Sequence, residues 1–224
     1  MSQGESYLET RDVHDFNQVV LRGSLCGAEL IIEQGDRESL TIRAEPSVAH
    51  RIETGVRDRK LMIRLGGSWL ERLGDLLTSD LMRPNIRCVL QVRELQGLDL
   101  YCAANVHAQS VKTDSLHITW RGAGNLVISS LETQNLEVKH SGVGMIEIAG
   151  QTEVQRVRLS GVGKYNASQL RTKQTEVRVT GSSVARVQAS GALDAVVSGI
   201  GIVEYSGNPR VRTRIAGAGN VVRA

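Results

Sequence analysis

The sequence predicts an all-β protein, a β-solenoid (β-helix-like) whose coils are 18–20 residues long. Three observations predict it. Glycine is abundant at 23 residues and proline scarce at 3, while the aromatics number only 2 Trp, 4 Tyr and 1 Phe. Such a chain builds its core from Val, Leu, Ile and Ala and turns at glycines. Six segments then align in a tandem repeat: WRGAGNLVI from Trp120, HSGVGMIEI from His140, LSGVGKYNA from Leu159, VTGSSVARV from Val179, VSGIGIVEY from Val197 and IAGAGNVVR from Ile215. Their first glycines lie 20, 19, 20, 18 and 18 residues apart. Around each of these glycines apolar residues alternate with polar ones, the period of a half-buried strand. With 224 residues, 41% hydrophobic and 23% charged, the chain has a globular make-up rather than that of an acidic disordered segment.

In chain order, strand-like stretches first occur at 17–22, 28–33, 39–44, 60–65 and 86–92, with turns around Gly35 and Asp58. Residues 1–95 are expected to form a β layer continuous with the solenoid of 96–224 and covering its first coil. No Pro/Gly/Ser-rich linker precedes residue 96, which predicts one compact unit. A helical insertion is expected near 68–82, where Trp69, Leu73, Leu76, Leu77 and Leu81 recur at helical spacing. Ser68 with Glu71 resembles a capping box, and Pro84 lies beyond the end. Its apolar stripe either covers the β core or stands outward as an association ridge, making the protein a homo-oligomer.

A degenerate seventh copy, YCAANVHA from Tyr101, replaces the two glycines by Cys102 and Ala104. Within the copies, Trp120, His140, Leu159, Val179, Val197 and Ile215 form one inward column, two residues before the glycine. A second inward column stands four residues after it, from Leu126 to Val221. The glycines are expected at corners that need positive φ or a close backbone approach.

Most enzyme and cofactor chemistry fails on detail. GAGNLV at Gly122 lacks the third glycine and the following helix of a dinucleotide site. The turns that would hold calcium in a β-roll carry Asn125, Met145, Lys164, Val184, Ile202 and Asn220, not carboxylates. The five histidines and three cysteines form no metal-ligand spacing, so no cofactor and no metal is expected. Cys26, Cys88 and Cys102 read as small buried thiols, and His140 as a hydrogen-bonded core histidine. Ser160 and Ser198 recur with the repeat and read as corner hydroxyls rather than nucleophiles. Glu147 and Glu204 share an outward column but stand three coils apart, about 14 Å at the strand spacing of a sheet, too far for a glycosidase pair. A non-enzyme is therefore expected. A polysaccharide-active solenoid enzyme and a self-assembling structural protein are the alternatives.

The formal charge of +3 is spread among alternating acids and bases, with few aromatics for base stacking, which argues against nucleic acid. No apolar run approaches the ~18 residues of a membrane span, so membrane attachment would need a segment outside this sequence. One surface feature stands out. Lys139, Arg158, Arg178 and Arg214 share an outward column, beside a column of Glu137, Glu176 and Asp194 interleaved with Arg156 and Arg212. This is either a charge-compensated sheet face or a shallow binding surface for an anionic glycan or a partner protein.

The repeats SGVGMIEI, SGVGKYNA and SGIGIVEY, with GNPRVRTRIAGAGNVVR at 207–223, resemble the C-terminal signature of the head GIN domain family of auto-transporter adhesins. The segment from Arg11 to Val48 and the strand KLMIRL resemble that family's opening strands, so the likeness spans about 11–223. It implies an all-β, solenoid-like fold in bacterial proteins of the cell envelope or surface, with no catalytic residues to carry over. MSQGESYLETRD shows no leader. The expected location is secreted, periplasmic or cell-surface if a leader was removed, and cytoplasmic if not.

Overall fold

The computed structural model describes residues 7–23, 28–65 and 86–224. The expected helix near 68–82, with Trp69, Leu73, Leu76, Leu77 and Leu81, lies outside the described residues, as does Cys26.

The repeat region winds as predicted. Its first coil runs through β8 (Gly97–Tyr101), β9 (Ala104–Ala108) and the short β10 (Val111–Lys112). Then follow β11 (Ser115–Trp120) and two long strands that bend around corners, β12 (Ala123–His140) and β13 (Val143–Leu159). The later coils are β14 (Val162–Ala167), β15 (Leu170–Val179), β16 (Ser182–Gln188), β17 (Ala192–Val197), β18 (Ile200–Ser206), β19 (Arg210–Ile215) and β20 (Asn220–Arg223). Each coil pairs in parallel with the next, at like positions of the repeat: Ile118 on Val138, Val138 on Val157, Val157 on Val177. Three strand stacks result. The first face carries β8, β11, the C-terminal parts of β12, β13 and β15, then β17 and β19. The second carries β9, the N-terminal parts of β12 and β13, then β14, β16, β18 and β20. The third is short, built on β10 and the middles of β12 and β13.

The N-terminal strands continue the same stacks, though not in chain order. β2 (Gln18–Gly23) pairs in parallel with β8, and β3 (Ala28–Gln34) with β9, forming one further coil. β6 (Lys60–Leu65) and β7 (Arg87–Val92) lie outside them, parallel to β2 and β3 respectively. The end is closed by antiparallel strands: β4 (Ser39–Ala44) on β7, β1 (Tyr7–Arg11) on β4, and β5 (Ile52–Arg57) on β6. Among the described residues the only helix is α1 (Pro46–Ala49), one turn long between β4 and β5.

One hydrophobic core runs the length of the stack, from Val13 and Phe16 to Val203. Trp120, Leu159, Val179 and Val197 are buried in their predicted column, whereas Ile215 on the last rung is 47% exposed. The glycines divide two tasks. A Cβ on Gly122, Gly142 or Gly161 would sit 1.7–2.0 Å from a carbonyl oxygen of the preceding coil, so these corners need close approach. Positive φ belongs instead to the second glycine, as at Gly124 with φ +126°.

Candidate functional site

Strand alternation places the basic residues on the outside of the first face. Lys139, Arg158 and Arg178 occupy three consecutive rungs in register, and Arg214 follows two rungs later, across Val196. The neighbouring column runs Glu137, Arg156, Glu176, Asp194, Arg212 in the same register. Glu137 accepts hydrogen bonds from both flanking cations, with Arg158 Nη1 at 2.6 Å and Lys139 Nζ at 3.1 Å. Partial burial opposes its ionisation, but these two cations outweigh that and hold the carboxyl below the usual glutamate range. Glu176 serves Arg178 at 2.7 Å and Arg156 at 3.9 Å.

Compensation is incomplete. The side chains of Lys139, Arg158 and Arg178 are 51%, 46% and 53% exposed, against 24% for Glu137 and 30% for Glu176, so the cations stand above the acids. On their other side lies a corner column that the sequence reading did not assign to a site: Arg121, Ser141, Ser160 and Thr180 on successive rungs. Together the two columns line a shallow groove of about 320 Å³. Ser160 and Thr180 lie at the corner, each Oγ 3.5 Å from a backbone carbonyl of the preceding rung, and both residues remain exposed. At its upstream end Tyr101 carries guanidinium groups from the rungs on either side, Arg22 at 4.8 Å and Arg121 at 5.7 Å from the ring centroid. The signal for these residues was present, because Tyr101 and Arg121 occupy the same repeat position as Ser141 and Ser160.

Other sequence candidates separate by environment. Cys88 and Cys102 are buried and form no disulfide, and burial pushes the Cys88 thiol up to about 12. His140 is buried edge-on to Trp120, with ring centroids 5.5 Å apart. The expectation that it is hydrogen-bonded needs correction: its Nε2 and the Trp120 Nε1 are both buried without a partner, their neighbours along the column being Leu100, Leu159 and each other. Glu147 and Glu204 lie three rungs apart as expected, and Glu204 is ion-paired with Arg186. A larger groove of about 720 Å³ follows the third face. There Glu132 is tied to Lys112 at 3.2 Å and Glu153 to Lys173, and Thr133, Thr152 and Thr172 turn their hydroxyls to backbone carbonyls. Among the described residues no group of three or more His, Cys, Asp or Glu could hold a metal ion.

The profile of the family described as "Putative auto-transporter adhesin, head GIN domain" matches residues 15–209. The chain belongs to this family. Solved structures share the fold of this head GIN domain. A putative adhesin from Bacteroides fragilis is 23% identical with a TM-score of 0.88, covering 100% of this chain and 98% of that one. A putative lipid binding protein from Parabacteroides distasonis is 19% identical with a TM-score of 0.73, covering 99% and 98%. A putative adhesin from Parabacteroides merdae is 18% identical with a TM-score of 0.68, covering 99% and 97%. No curated protein matches the chain. The family description suggests a surface-binding role on the extracellular side.

Proposed function

We propose that this head GIN domain is a non-enzymatic binding module of the bacterial envelope or surface, and that its first face takes an anionic glycan. The observation that carries this reading is the three-rung cation column of Lys139, Arg158 and Arg178 facing a column of exposed hydroxyls across one groove. Rungs repeat at about 4.8 Å, close to the length of one sugar unit. An extended acidic polysaccharide laid along the stack therefore meets a fresh cation and a fresh hydroxyl at each unit. The carboxylates or sulfates pair with the cations, and Ser141, Ser160 and Thr180 reach the ring hydroxyls. Binding is shallow and multivalent, as suits adhesion to a polymer. A non-catalytic role fits three of the outer acids, since Glu132, Glu153 and Glu204 are each held by a cation.

The test is binding of the chain to immobilised polygalacturonate and to neutral dextran over a salt series. The proposal expects binding to the acidic polymer alone, weakening as salt rises. Equal binding to both polymers, or release of new reducing ends from either, would overturn it.

A further inference from the structure

The cation column of the first face begins at Lys139, and the rung before it carries Thr119 in that position. In the column beside Thr119 stands His117, directly upstream of Glu137. The two oxygens of Glu137 are used unequally. Oε1 accepts from both Lys139 Nζ and Arg158 Nη1, at 3.1 and 2.6 Å. Oε2 faces His117 Nε2 at 3.6 Å. An imidazolium at this place pairs with Oε2 and leaves both ion pairs on Oε1 intact.

The surroundings leave His117 open to the groove. Its partner on the upstream rung is Gly97, which has no side chain, so a small pocket of about 190 Å³ opens beside the imidazole. Gln18, Gln96, Asp99 and Ser115 line the rest of it. Among the described residues, the charged groups that face His117 are therefore Asp99 from β8 and Glu137 and Lys139 from β12. β2 contributes the neutral Gln18, and β11 itself Ser115 and Thr119. The His117 side chain is 60% exposed, so a polymer lying on the first face can reach it. Histidine changes charge between pH 5 and 8. With the imidazole neutral, Glu137, Lys139 and Arg158 carry a net charge of +1 between them; with His117 protonated the cluster carries +2.

We propose that His117 is a fourth, acid-dependent cation of the glycan groove, so that the domain holds an acidic polysaccharide more tightly as its surroundings acidify. An anionic chain laid along Lys139, Arg158 and Arg178 then gains a contact one rung further upstream, where the column itself has only Thr119. This role rests on the glycan reading of the first face and adds to it a residue and a condition.

The probe is dextran sulfate, whose sulfate esters stay ionised throughout, titrated into the chain at about pH 8 and about pH 6 at fixed ionic strength. The parent is expected to bind about two- to fivefold tighter at the lower pH, the range of one exposed ion pair. His117→Gln should lose that dependence, and His117→Lys should bind tightly at both values. The remaining histidines are common to the three proteins, so their titration cancels in the comparison. In the unaltered protein, binding between these pH values should take up protons, seen as a calorimetric heat that varies with the ionisation enthalpy of the buffer. Equal binding of the parent at both pH values, an unchanged pH dependence in His117→Gln, or binding without proton uptake would overturn the role of His117 and leave the glycan groove standing. No binding of the parent at either pH would overturn both.

Discussion

A methyl group on Gly142 would sit 1.8 Å from the carbonyl oxygen of Gly122, whereas one on Gly35 meets nothing within 4 Å. Gly142→Ala must therefore push two coils apart, and a loss of about 1–3 kcal/mol or more is expected in chemical denaturation. Gly35→Ala, the control, should stay within about 0.5 kcal/mol. His140 gives a second residue-scale prediction. Burial lowers its pKa from the ordinary 6.5, so the unfolded chain takes up a proton that the folded chain resists. Stability is complete above pH 6.5 and falls as the pH drops below it, until the folded imidazole also protonates. Melting temperatures across that range should slope for the parent and flatten for His140→Leu. The inward position of His140 was legible from the repeat register. Its missing hydrogen bond was not, because that depends on which side chains adjacent coils bring around Nε2.

Elements carry the next lesson. Period-two alternation was enough to align the columns of 120–223, since a one-residue slip would turn every apolar side chain outward. The order of the N-terminal strands was not legible. A parallel neighbour is chosen by the fold and not by adjacency in the chain, so β6 and β7 could lie outside β2 and β3 without leaving a sequence signal. β5 and β1 escaped notice for a related reason. As edge strands they bury little, with Val56 and Leu8 exposed and the charged Arg11 pointing inward, so neither shows clean alternation. Deeper in the stack, Gln155 Nε2 donates to the buried Tyr165 hydroxyl, which couples adjacent coils. Tyr165→Phe should leave that amide unsatisfied and cost about 1–3 kcal/mol by denaturation. On the surface the balance differs. Glu137→Gln removes a screened, partly exposed partner and should change stability by about 1 kcal/mol or less. It also frees Lys139 and Arg158, so the same variant should bind acidic polysaccharide more tightly than the parent.

At the scale of the whole molecule, stacking turns a modest sequence signal into a surface. The chain carries a formal charge of only +3, yet the register gathers Arg121, Lys139, Arg158 and Arg178 around one groove with two carboxylates set beside them. The column was legible because the repeat spacing is nearly constant. Its flanking hydroxyls and the Arg22–Tyr101–Arg121 stack became visible only when the corners placed them beside it. The most direct measurement compares two double charge reversals of equal net effect for binding to polygalacturonate. Arg158→Glu/Arg178→Glu alters the groove, while Arg37→Glu/Arg57→Glu alters exposed arginines near the capped end. The account predicts that the groove variant loses binding while the other retains it, with both melting as the parent does. Equal loss in the two variants would show that net charge alone draws the polymer, and would contradict a site on the first face.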